Sequence, residues 1–180
     1  MLQKLGVYRL MSMLACVTGL GVFGLGEVKA QNAIVIRGMD DLADCSPAQL
    51  EQLFRQGYVT GIPTGKMKAM PLMNPGKPQA RIASRAGRLV FSGKVIADDA
   101  SEAKNIFFGV QMIKGVFRIE PSVRDAQPAI ILDYSGTSLV YRNFRDEIRE
   151  ISPGLYLGFM MDVRDSSATA RRWFAFESGL

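Results

Sequence analysis

Three textures of hydrophobic and polar residues succeed one another along the chain. The first is an apolar run from Leu10 to Gly26, preceded by Lys4 and Arg9. The second, between Ser46 and Val90, contains two stretches with the 3.6-residue period of amphipathic helices. Ser46-Pro47-Ala48-Gln49 opens one of them with an N-cap, a proline at the first helical position and a capping-box glutamine. Leu50, Leu53 and Phe54 share its face, and Gly57 ends it after about Gln56. The other runs from Pro78 to about Val90, with Ile82, Ala86, Leu89 and Val90 on one side and Arg81, Arg85 and Arg88 on the other. The third texture consists of short apolar runs divided by turn residues: Lys94 to Ala97, Asn105 to Val110, Gly115 to Glu120, Ala129 to Tyr134, Asn143 to Ile151, Leu155 to Val163 and Arg172 to Glu177. With the stretch from Thr60 to Met73, these make about eight strands, the pattern of an antiparallel sheet curled into a small barrel. Eight strands enclose room for side chains or one small ligand; an open, twisted sheet covered by the helices is the alternative.

One strand breaks the alternation expected of a half-buried element. From Phe144 to Ile151, Phe144, Asp146, Ile148 and Glu150 occupy one face, and Arg145, Glu147, Arg149 and Ile151 the other. Charges on both faces of a strand in a closed structure must be paired wherever they are buried, because an isolated buried charge is too costly to keep. Ser152-Pro153-Gly154 then turns the chain into the apolar strand Leu155 to Val163. Its residues Leu155, Leu157, Phe159 and Met161 line one wall of a cavity or, with the alternation inverted, pack beneath the helices.

Composition sets further bounds. The chain has 180 residues, 48% hydrophobic and 22% charged, enough for one core. The basic start, the apolar run of 17 residues broken by four glycines, and Val28-Lys29-Ala30 have the layout of a cleavable secretory leader, shorter than the roughly 20 residues a spanning helix needs. The expected domains are therefore a signal peptide at 1–30 and a single barrel domain at 31–180, exported to a periplasmic or extracellular space, with an N-terminal anchor as the alternative. N-terminal sequencing from an exporting host is expected to give Gln31; Met1 retained in membrane fractions would overturn this. Cleavage leaves Cys45 as the single cysteine, so no internal disulfide can form, and it reads as a structural thiol.

Histidine is absent, which removes the commonest general base and transition-metal ligand. With no CxxC pair, P-loop, dinucleotide-binding glycine motif or EF-hand pattern, no cofactor or metal is expected.

The run Ile130-Ile131-Leu132-Asp133-Tyr134-Ser135, the segment from Arg142 to Gly158 and the stretches Phe91-Ser92-Gly93-Lys94 and Gly61-Ile62-Pro63-Thr64-Gly65 resemble a group of bacterial lipocalin-like (calycin-like) small β-barrel proteins. The likeness covers about residues 46–177, and Phe91 stands where that group has a tryptophan. The resemblance implies a barrel with an internal cavity and carries over no catalytic residue.

Three constellations carry candidate chemistry. Asp133, Tyr134, Asp146, Glu147, Arg149, Glu150 and Tyr156 combine carboxylates, a guanidinium that pairs bidentately and rings with polar tips, a set suited to orienting a ligand with one polar end; the competing reading is a salt-bridge network across strands. Between Glu51 and Asp98 lie Arg55, Lys66, Lys68, Lys77, Arg81, Arg85, Arg88 and Lys94 with no acidic residue. Arg81, Arg85 and Arg88 make a candidate docking face for an anionic membrane surface, or a solvated helix face; nucleic acid is disfavoured by the sparse aromatic residues there. Met67, Met70, Met73, Met112, Met160 and Met161 fill a core or line a lipid cavity. The expected function is binding of a small hydrophobic or amphipathic ligand, such as a lipid, in the barrel. The alternatives are a cofactor-free cyclase or isomerase using Asp133, Glu147 and Tyr156 as acid/base groups, and an adaptor docking an anionic surface.

Overall fold

The computed structural model describes residues 35–165, 167 and 172–179; the leader read at residues 1–30 lies outside them. Eight antiparallel strands follow one another around a closed barrel: β1 (Gly65–Leu72), β2 (Phe91–Ile96), β3 (Glu102–Phe107), β4 (Val110–Pro121), β5 (Pro128–Asp133), β6 (Phe144–Ser152), β7 (Leu155–Asp162) and β8 (Arg172–Ser178). Each strand pairs with its neighbours in sequence, and β8 closes on β1 from Met67↔Ser178 to Leu72↔Trp173. Every one of the eight apolar runs forms a strand, and closure leaves no free edge. The connections 73–90, 108–109, 134–143 and the described turn 163–165 after β7 gather at one end, here called the mouth, and 97–101, 122–127 and 153–154 at the other.

Outside the barrel lie α1 (Met39–Asp44), α2 (Pro47–Gln56) and α3 (Ala80–Gly87). The α2 capping box is present: Gln49 N donates to Ser46 Oγ at 3.3 Å and Ser46 N donates to Gln49 Oε1 at 2.8 Å. α1 is a helix beyond the two read from the sequence, and α3 is shorter than Pro78 to Val90. Its apolar side is also not the buried one. Ala80 and Ser84 are buried, Ser84 Oγ accepting from Met73 N at 2.8 Å, while Ile82 and Leu89 are exposed. The helix lies close to β1 through its small residues, and Arg81 and Arg85 reach across to the carboxylates of α1.

Strand alternation divides the apolar residues into two cores. Met67, Ala69, Ile96, Phe117, Ile130, Leu132, Ile148, Tyr156, Phe174 and Phe176 fill the interior. Leu155, Leu157, Phe159, Met161, Met70 and Trp173 face outward and pack with Leu42, Leu50 and Phe54 of the helices. The alternation is thus the inverted one: β7 contributes its apolar face to the helix layer and Tyr156, Gly158 and Met160 to the lumen. Gly158 makes room inside, since a Cβ there would lie 2.6 Å from Cζ of Phe174.

The charges on the outer face of β6 are held under the α2 side of the barrel. Arg149, wholly buried, donates to both carboxylate oxygens of Asp125, at 2.7 and 2.6 Å, and to the carbonyl oxygens of Phe54, Gln127 and Pro128. It so ties the end of α2 to the 122–127 loop. The guanidinium holds the Asp125 carboxyl below its usual range. Because the folded value is depressed, this pair contributes fully above the unfolded aspartate value of about 3.9 and is lost as pH falls through the folded one. Asp125→Asn is expected to be less stable than the parent at neutral pH, with the difference closing in acid; denaturant titrations across pH check it, and a constant difference contradicts the assignment.

Cys45 is buried in the helix layer, its Sγ 3.5 Å from the Asp41 carbonyl oxygen. Burial, together with Asp44 and Asp41, raises its thiol pKa, so it is inert. In a Cys16→Ser chain, native protein is expected to resist thiol alkylation that proceeds on unfolding; rapid native labelling would place Cys45 elsewhere.

Candidate functional site

Strand register assembles a polar cluster inside the barrel near the mouth. Lys94 on β2 is the direct partner of Asn105 on β3, and Lys94 Nζ donates to Asn105 Oδ1 at 2.7 Å. Asp146 lies on β6, four strands away around the barrel, so its 3.1 Å ion pair with Lys94 crosses the lumen. Tyr134, following β5, donates its hydroxyl to Asp146 Oδ2 at 2.7 Å and accepts from Asn105 Nδ2 at 3.1 Å. All four residues are buried. The Lys94 ammonium also sits 5.2 Å from the ring centroid of Phe174 and 5.5 Å from that of Phe91, within cation–π range.

Burial lowers the Lys94 pKa, against the opposing pull of Asp146, and raises that of Tyr134 well above the usual phenol range, with Asp146 adding to the rise. At neutral pH Tyr134 is therefore a neutral hydrogen-bond donor.

Above this cluster is a cavity of about 80 Å³, walled by Phe91, Phe107, Tyr141, Met160, Arg172 and Phe174 besides the polar residues. Pro71, Phe91, Phe107, Arg172 and Trp173 also line an outer groove of about 650 Å³ that continues over Met73, Pro75 and Val90. The inner space admits a small polar group or a few waters, since one water needs about 10–15 Å³ on this measure. The groove, within the 300–1,000 Å³ of small-molecule pockets, admits an apolar body.

The seven residues proposed as one ligand site separate into three places. Tyr134 and Asp146 belong to the lumenal cluster. Asp133, Glu147 and Arg149 face outward: Asp133 pairs with Arg118 at 3.3 Å, and Glu147 is bound by Arg145 and the Ser122 hydroxyl beneath the 122–127 loop. Glu150 and Tyr156 point inward at the end away from the mouth. There Glu150 accepts from Thr60 Oγ1 at 2.7 Å and Gly154 N at 2.8 Å, and Tyr156 stacks on Phe176 at 4.9 Å. The acid/base set Asp133, Glu147 and Tyr156 accordingly does not converge.

On α3, Arg81 is paired with Asp44 and Asp41 and Arg85 with Asp40 at 2.6 Å, so two of the three candidate docking cations are compensated by α1. Arg88 lies just past the helix. Lys94, counted from sequence among the basic surface tract, is lumenal. Of the methionines, Met160 lines the inner cavity and Met73 the outer groove, Met67, Met70 and Met161 are core, and Met112 is exposed.

Asn105 and Arg172 were not singled out from the sequence, and Lys94 was read only as part of the basic tract and the Phe91-Ser92-Gly93-Lys94 stretch. Lys94 shares a strand face with Ile96, and Asn105 with Ala103, so a polar residue on an otherwise apolar face was the available signal.

No protein-family model and no curated protein matches the chain. Among solved structures, it is similar to a protein from Thermomonospora curvata, with 13% identity, a TM-score of 0.51 and coverage of 76% of this chain and 90% of that one. A likeness at this identity concerns the barrel fold alone.

Proposed function

We propose that this is an exported binding protein for a small amphipathic ligand, held in the barrel without a cofactor. The polar end of the ligand meets Asn105, Tyr134, Asp146 and Lys94, and its apolar body lies in the groove along Phe91, Phe107, Trp173 and Val90. The observation that carries this reading is the polar cluster crossing the lumen at the floor of an apolar cavity. Lysine and aspartate are poor core fillers, and their place there is explained by orienting a polar group at the end of an apolar passage. The Lys94–Asp146 pair carries no net charge, so Arg172 above it favours an anionic or hydroxylated end over a cationic one.

Trp173, the single tryptophan, lines both spaces and reports on occupancy. Titration with dodecanoate as the probe is expected to change its emission saturably. Tyr134→Phe, which removes a hydroxyl bound to Asp146 and Asn105, is expected to weaken binding about tenfold, the loss of roughly one hydrogen bond to a charged group. Tyr156→Phe is expected to leave affinity unchanged. Equal affinity in Tyr134→Phe, or no response to dodecanoate together with native mass spectra free of co-purified ligand, would remove the proposal.

The convergence of Lys94, Tyr134 and Asp146 at the floor of the cavity also favours a second reading, a cofactor-free isomerase or cyclase in which this cluster, rather than Asp133, Glu147 and Tyr156, moves the proton. A co-purified compound recovered in altered form after incubation would distinguish turnover from binding.

A further inference from the structure

The two ends of the barrel differ in what their connections expose. At the mouth, Leu89, Phe108, Val110, Leu139, Val140 and Val163 stand in solvent, with Leu139 at 88% and Leu89 at 79% of full exposure. At the other end the three connections expose Val123, and Ile119 near the end of β4 and Tyr58, bridged to Glu150, are about half exposed. Single exposed apolar side chains are ordinary on protein surfaces; their gathering at one end, from every connection there, is not.

Hydrogen bonds join these connections into one frame. Phe108 N donates to the Val90 carbonyl at 2.9 Å, Thr137 Oγ1 to the Lys114 carbonyl beside the start of β4, and Val163 N to the Asn143 carbonyl at 2.8 Å. The apolar tips thus surround the opening of the cavity as a held rim.

Charge follows the same axis. The mouth connections and the start of β8 carry Arg88, Arg142, Arg164 and Arg172 against Asp162 and Asp165, and Asp162 is held by Arg164 at 2.7 Å. At the opposite end the 97–101 connection carries Asp98 and Asp99 with no basic residue, while Asp125 is paired with Arg149 and Arg124 with Glu51. The molecule therefore presents an apolar, cationic end and an acidic one.

We propose that the mouth docks onto an anionic lipid bilayer, with Leu89, Phe108, Leu139 and Val140 entering the headgroup region and the arginines meeting lipid phosphates. The tips, Leu139 and Val140 side by side and the others apart, come from several connections, and they do not form the continuous face of about 800 Å² per partner that a stable protein interface presents. A fluid interface accepts such scattered side chains, and its negative surface attracts cations within a Debye length of about 8 Å at physiological salt. The acidic far end orients the approach. This docking does not depend on the ligand reading, since it rests on the rim and not on the lumenal cluster.

The experiment places an environment-sensitive fluorophore on Leu139→Cys and, separately, on Val123→Cys at the opposite end, each in an otherwise full-length chain bearing Cys16→Ser; buried Cys45 stays unlabelled. Vesicles of phosphatidylcholine with phosphatidylglycerol are expected to brighten and blue-shift the probe at position 139 severalfold and to leave position 123 unchanged. Pure phosphatidylcholine and high salt should reduce the response. A label at 139, unlike total vesicle binding, does not respond to insertion of the apolar segment at 10–26 alone. Phe108→Ser with Leu89→Ser in the 139-labelled chain is expected to weaken the response about tenfold with an unchanged melting temperature. No change at 139, an equal change at 123, or a shift at 139 that follows protein concentration without vesicles, marking contact between copies, would each overturn the proposal.

Discussion

Arg149→Leu is expected to lower stability by about 3–5 kcal/mol, the cost of breaking a buried ion pair by removing one partner. At this chain length that is a fall in melting temperature of about 10 °C. The size follows from what the guanidinium holds. It forms a two-pronged pair with Asp125, satisfies the carbonyl oxygens of Phe54 at the end of α2 and of Gln127 and Pro128, and lies 4.5 Å from the Phe54 ring centroid. Leucine fills part of the volume and leaves all of these acceptors without their donor. Arg149→Lys restores the charge but not the planar fork, so it should recover only part of the loss. An exposed pair such as Arg55–Glu51 would cost about 0–1 kcal/mol, and a cost in that range for Arg149→Leu would show that the clamp is not desolvated as described. Ligand affinity should not change in the fraction that remains folded, because Arg149 faces away from the lumen.

The second large effect separates stability from binding at the cavity floor. Lys94→Met strands the Asp146 carboxylate among apolar walls and should also cost about 3–5 kcal/mol. Adding Asp146→Leu removes the stranded charge. The double variant is expected to regain the stability of the parent or exceed it by about 1 kcal/mol or more, since a buried pair is often no better than packed apolar residues. Dodecanoate response through Trp173 should be lost in both. Recovery of stability without recovery of binding would mark the pair as retained for its chemistry. A double variant that stays as unstable as Lys94→Met, or binds the probe as the parent does, would assign the pair to architecture and remove it from the site.

Much of the barrel was legible in the residues because strand formation and capping are local. The eight apolar runs, the Ser46-Pro47-Ala48-Gln49 start and the charges on both faces of β6 are properties of a few neighbouring positions each. So was the requirement that Asp146, Glu147, Arg149 and Glu150 find partners, which follows from the cost of burying a charge whatever encloses it. The partners were not legible. Asp125 reaches Arg149 because the 122–127 connection folds back over β6, and Lys94 meets Asp146 only because closure brings β2 opposite β6. Closure also decided which face of β7 points inward, a single choice that sent Leu155, Leu157, Phe159 and Met161 to the helices and divided the expected ligand set. By itself the sequence determined that these strands form and that their charges must pair. Which charges share a lumen, and which apolar tips share a rim, depended on contacts between positions tens of residues apart, and those distances exist only once the sheet has closed on itself.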